Sequence, residues 1–226
     1  MLFSHEETAA WLDGRFESAW RSLRPVPTVR VDFGDGRTVT RTLHGNVVTW
    51  VCTPDGQVVD GLPGLYDPAA YRARLEEIAA VAVRIAPLAP AERRAALEAY
   101  HRPRAGLLLA PGARAAPARV LPMPEVPDSG KFLRERPLER ALPGSVPAIP
   151  VPDSFGEPGA ADSRRNEEVR RPALHAILLA AGAVRPEAVE RRLYREVLHA
   201  DLDDPWLGLE EALFDPGDPR RGEPGR

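Results

Sequence analysis

The chain has 226 residues, 43% hydrophobic and 28% charged, with a net charge of -3 and a single cysteine, Cys52. That length can bury a real core and hold two units. The charge balance gives no basic footprint for nucleic acid, one cysteine excludes an internal disulfide framework or a cysteine zinc site, and no apolar run approaches the roughly 18 residues of a membrane span. Lys131 is the only lysine, an arginine bias expected of a GC-rich bacterial genome. MLFSHEETAAWL carries acids where a signal peptide would carry lysine or arginine, so a cytoplasmic protein is expected.

The chain opens with a predicted helix from Glu6 to Asp13. Arg15 to Leu23 follows, where Phe16, Trp20 and Leu23 fit helical spacing and a short strand fits as well. TVRVDFGDGRTVTRTL alternates. Val29, Val31 and Phe33 share one face, and Asp35-Gly36 gives a tight turn before Val39 and Leu43. NVVTWVCTPDGQVVDGLPG is a second hairpin. Its first strand is apolar on both faces, which predicts a central strand covered on both sides. Thr53-Pro54-Asp55-Gly56 suits a type I turn, and Pro63-Gly64 stops the return strand. Asp67 then caps a helix that has Pro68 in its first turn and Tyr71, Leu75, Ile78, Ala82 and Ile85 on one stripe. Pro87 ends it, and a weaker helix spans Ala91 to Tyr100.

About a dozen prolines between Pro103 and Pro158 mark residues 102–163 as a Pro/Gly-rich linker, with a short helix at Lys131 to Leu142. Residues 164–214 read as a helical unit, with helices from Asn166 to Ala181 and from Pro186 to His199 and a stripe at Trp206, Leu207, Leu209, Leu213 and Phe214 that packs internally by default. Within it SRRNEEVRR reads as a solvated helix start, with Glu167 and Arg171 paired one turn apart. Residues 215–226 read as a disordered tail.

Residues 3–86 resemble a thioredoxin-like domain. Strand, P-D-G turn, strand, glycine and capped helix over residues 46–80 carry the resemblance. It implies an α+β (or α/β) fold, a mixed sheet with flanking helices in a domain at residues 1–101. The family's CxxC motif, which would open the first helix, is absent, and Val47 or a neighbour such as Asn46 stands where the family has its cis-proline. The resemblance therefore implies a cleft near Asn46 and Val47 without dithiol chemistry.

Other candidates are weaker. Cys52, mid-strand beside Trp50, reads as a core cysteine. Glu196 and His199 form an E-x-x-H pair near Asp201, Asp203 and Asp204, with His175 on the partner helix. A carboxylate metal site needs a second such pair, and aspartates after a helix commonly build turns. No cofactor is expected. The expectation is a non-catalytic thioredoxin-like module that binds a protein or peptide, not a nucleic acid or a membrane. Two alternatives are an oxidoreductase whose CxxC lies upstream of Met1, and a metal-dependent enzyme using His175, Glu196, His199, Asp201 and Asp203.

Overall fold

The computed structural model describes residues 6–26, 28–32, 34–42, 47–106 and 156–204. Asn46, the helix expected at Lys131 to Leu142, the apolar stripe at 206–214 and the tail at 215–226 lie outside the described residues, as does Phe33. So do the side chains of Val29, Val31 and Val39.

Helix α1 spans Glu6–Asp13, and its Trp11 and Leu12 pack with Phe16 against the main core. The helix or strand expected at Arg15 to Leu23 does not form. Its apolar residues never share a buried face, since Phe16 packs inward and Trp20 is 89% exposed. Strands β1 (Thr28–Asp32) and β2 (Thr38–Thr42) pair antiparallel, with Thr28 opposite Thr42 and Asp32 opposite Thr38.

Strands β3 (Val48–Cys52) and β4 (Val58–Pro63) form the second hairpin, with Trp50 opposite Gly61 and Val51 opposite Asp60. A bulge then sets Cys52 opposite Val58. The Pro-Asp-Gly turn closes as predicted, with the Gly56 amide donating to the Thr53 carbonyl at 2.8 Å. Among the described residues the strands pair only as these two antiparallel hairpins, so the fold is α+β and the expected mixed sheet is not formed. Both faces of β3 are covered, as its apolarity predicts, although among the described residues β3 pairs with β4 alone and is not a central strand. Val51 belongs to a cluster with Leu62, Tyr71, Leu75, Ile78 and Tyr100, whereas Val48, Trp50 and Cys52 pack on a second cluster of Val58, Leu174, Ile177, Leu178, Leu193 and Val197. Helices, not neighbouring strands, cover this hairpin on both sides.

Gly64 turns the chain out of β4 at φ 87°, a conformation that favours glycine. Helix α2 (Pro68–Ile85) starts at once, with Asp67 accepting from the amides of Ala69 and Ala70. Tyr71, Leu75, Ile78, Val81 and Ile85 make its buried stripe. Helix α3 (Pro90–Arg104) buries Leu97, Tyr100 and His101. Helix α4 (Gly156–Arg165) lies inside the segment expected to be linker. Pro158 is tolerated there because the first helical turn has no use for its missing N–H. A π-helical turn, Asn166–Arg170, joins α4 to α5 (Arg171–Ala181). A short 3-10 turn, Pro186–Ala188, leads to α6 (Glu190–Glu196).

Helix α5 shares the second cluster with the β3–β4 hairpin, so the helical residues expected as a unit of their own contribute to the same core as the hairpin. Gly61 is what lets α5 lie so close. A Cβ at that position would stand 2.9 Å from the Trp50 ring and 3.2 Å from the Leu174 side chain. Gly61→Ala is therefore expected to destabilise the protein by about 1–3 kcal/mol, the usual cost of overpacking a filled core. Urea denaturation measures this, and a variant as stable as wild type would show that Trp50 and Leu174 have room to move.

Candidate functional site

Two features are candidates: a buried polar cluster and an open cleft. The cluster is centred on Asp60, the one charged residue in β4 and fully buried. Tyr100 on α3 donates its hydroxyl to Asp60 Oδ2 at 2.7 Å, and Arg171 at the start of α5 donates Nη2 to the same oxygen at 2.6 Å. The Gly61 amide donates to Oδ1 at 2.7 Å. His175, one turn along α5, places Nδ1 3.7 Å from Oδ1, and 3.0 Å from Nδ1 of His101 on α3. One imidazole of this pair must donate and the other accept.

The protonation states follow from enclosure. Burial pushes His101 down to about 4 and His175 to about 3, against the pull of the Asp60 charge. Both rings are neutral at pH 7, so the His175–Asp60 contact is not an ion pair there. Burial works to raise Asp60, but the surrounding charges and donors outweigh it and hold its carboxyl below the usual range. At neutral pH the Arg171 guanidinium, always charged, acts on Asp60, while His175 is uncharged. Burial likewise works against the Arg171 charge, and Asp60 and Glu167 more than restore it. Burial and Asp60 together push the Tyr100 hydroxyl up.

The cluster continues to the surface as alternating charges. Arg171 also pairs with Glu167 at 3.0 Å, Glu167 with Arg74 at 2.9 Å, Arg74 with Glu77 at 2.8 Å and Glu77 with Arg104 at 3.0 Å. Arg104 then stacks 3.9 Å over the Tyr100 ring and so closes the circuit. The Glu167–Arg171 pair expected from the sequence is present. Arg171 is buried, however, and not solvated, because Asp60 draws it into the core. Asp60, Tyr100, His101, Arg171 and His175 are all enclosed. Their contacts tie β4, α3 and α5 together.

The cleft lies elsewhere and is open to solvent. It has a volume of about 180 Å³ and is lined by Leu23, Val26, Val47, Val48, Tyr194 and Leu202, with Arg21 and Arg24. Arg21 is tied to Glu187 at 3.2 Å and to Glu190, and Arg24 donates to the carbonyls of Leu202 at 3.1 Å and of Asp204. The volume falls below the roughly 300–1,000 Å³ of small-molecule pockets and matches one or two side chains.

The sequence candidates fall as follows. Val47 lines the cleft. His175 joins Asp60 and His101 in the core, away from its expected partners. Glu196 pairs with Arg192 at 2.9 Å, and Asp203 pairs with Arg191. Asp201 accepts from the Asp203 amide at 3.0 Å, the turn role expected of it. His199 sits in the left-handed region at φ 52°, just past α6. Among the described residues no group of three or more histidine, cysteine, aspartate or glutamate side chains is placed to hold a metal ion. Cys52 is half-buried, and burial followed by the Glu187 charge pushes its thiol up. Among the described residues no helix is long and apolar enough to cross a membrane.

No protein family, curated protein or solved structure matches the chain. What the chain does therefore has to be read from its own geometry. Sequence reasoning missed Asp60, Tyr100, His101 and Arg171. A signal was present: an aspartate inside the apolar run VVDGLP is unusual, because strands are poor in aspartate and a buried charge needs a partner.

Asp60→Asn is expected to cost about 3–5 kcal/mol, because it leaves the buried Arg171 charge without its nearest counter-charge. The paired change Asp60→Leu with Arg171→Met should recover most of that loss in urea titrations. If the single variant is as stable as wild type, the pair does not hold the hairpin to α5. The histidines set a pH dependence as well. Their folded values lie below the unfolded value near 6.5, so the unfolded chain takes up protons first. Their contribution is complete above about pH 6.5 and is lost as pH falls toward 4. Stability measured over this window should drop on acidification, and His101→Gln with His175→Gln should flatten the slope.

Proposed function

We propose that the protein is a non-catalytic binding module. Its β3–β4–α2 unit, the part that carries the thioredoxin-like resemblance, serves as the scaffold, and the cleft beside Val47 holds an extended segment of a protein or peptide. The observation that carries this reading is the cleft itself: walls that mix apolar side chains such as Val26, Val47 and Leu202 with Arg21 and Arg24, a size suited to side chains, and a place at the start of β3. Among the described residues β3 pairs with β4 alone. Its other edge can therefore add a strand, with backbone hydrogen bonds supplying affinity and the cleft supplying selectivity.

Two further facts support a binding role over a chemical one. The buried titratable cluster of Asp60, Tyr100, His101, Arg171 and His175 is enclosed in the core, whereas a catalytic group needs to reach its substrate. Cys52, the one thiol in this sequence, stays protonated at neutral pH because its ionisation is disfavoured, and a protonated thiol is a poor nucleophile.

Selection from random peptides of about ten residues is the direct test, followed by titration of the enriched sequences. Val47→Arg and Leu202→Arg are each expected to weaken binding by about tenfold or more, worth about 1.4 kcal/mol. Cys52→Ser should leave it unchanged. Failure to enrich any peptide, or binding indifferent to both arginine substitutions, would reject the cleft as the site.

A further inference from the structure

Two imidazoles join α3 to α5 inside the core. His101 and His175 are both buried and share one hydrogen bond through their Nδ1 atoms at 3.0 Å. Asp60 faces them from β4, Arg171 from α5, and Arg104 and Tyr100 from α3, with the Tyr100 ring edge-on to both. Glu77 on α2 and Glu167 in the π-helical turn act on this group through Arg104 and Arg171. A neutral pair needs one donor and one acceptor. One added proton keeps that bond but sets a cation in an enclosed space beside two guanidiniums. The Asp60 carboxylate already serves Arg171, Tyr100 and the Gly61 amide. A second proton makes both Nδ1 atoms donors and abolishes the bond. Once the rings separate, water solvates both charges.

The two helices are tied differently. Helix α5 is held to the hairpin by Asp60 and Arg171, and Asp60 stays ionised in mild acid because its carboxyl lies below the usual range. Leu174, Ile177 and Leu178 of α5 add a cluster that, among the described residues, takes nothing from α3. Helix α3 puts Leu97 and Tyr100 into the other cluster, and its hydrogen bond to α5 is the imidazole pair. We propose that α3 is an acid-released clasp, which leaves α5 when His101 and His175 both take up protons while α5 stays on the β3–β4 hairpin. Its release uncovers Leu97, Tyr100 and the side of β4 that carries Asp60.

Hydrogen exchange of the full chain, read by mass spectrometry and corrected for the intrinsic effect of pH on exchange, follows the opening of each element. A histidine that is neutral when enclosed and free to protonate when open raises the opening constant by up to about tenfold per pH unit between its open and enclosed values. The opening constant of α3 should therefore rise by about fiftyfold from about pH 5.5 to about pH 4.5, and by about tenfold or less in His175→Gln. The amides of β3, β4 and α5 should keep their protection after α3 has lost its own. If α3 and the hairpin lose protection together at every pH, acid unfolds the whole structure and the clasp is rejected. A rise in wild type no steeper than in His175→Gln would reject the imidazole pair as its trigger.

Discussion

The buried ion pair between Asp60 and Arg171 is the contact on which the described structure turns. Burying either charge alone would cost several kcal/mol, so neither residue can occupy its position without the other. Asp60 comes from the hairpin and Arg171 from the first residue of α5, 111 positions later. Their meeting places α5 on the β3–β4 hairpin, and the remaining oxygen contacts bring in α3 through Tyr100. A purely apolar seam could slide. A carboxylate that must meet a guanidinium, a phenol and an amide at hydrogen-bond distance admits far fewer arrangements.

The same constraint accounts for the irregular parts around it. Asn166 is fully buried in the π-helical turn and donates to the Leu65 carbonyl at 2.6 Å, while Arg170 donates to Asn166 at 2.7 Å. Gly64 leaves no room for a side chain there, since a Cβ would stand 2.9 Å from both Arg170 and Asn166. The wide turn lies where the helix must serve two anchors, Leu65 through Asn166 and Asp60 through Arg171, and π-helical turns recur where a helix carries such side-chain demands. The two neutral histidines complete the interior. They fill the space between α3 and α5 with groups that hydrogen-bond each other and add no charge to that of Arg171.

Much of the framework was legible in the sequence because it depends on neighbours along the chain. The PDG turn, the cap at Asp67 with Pro68 behind it, and the stripe from Tyr71 to Ile85 each rest on residues within a few positions of one another. Where such local rules conflict with burial, sequence reasoning failed. Arg15 to Leu23 has helical spacing but no surface to bury it, and stays irregular. Gly156–Arg165 has the composition of a linker, yet α4 forms, with Ser163 accepting from the Asp67 amide at 2.8 Å across a separation of 96 residues.

The candidate site divides along the same line. Sequence alone determined that the chain carries one thiol and that Cys52 and Val47 belong to an apolar hairpin, although Cys52 ends its strand at a bulge and does not lie mid-strand as expected. These are statements about residue types and short-range pattern. Only the tertiary structure decided that His175 meets Asp60 and His101 rather than Glu196 and His199, and that Val47 borders a cleft whose other walls come from residues 21–26 and 194–202. Helical spacing fixes which residues share a face, but not what that face meets. The partner of a buried charge is chosen by the packing of distant elements, and no local pattern in this chain names it.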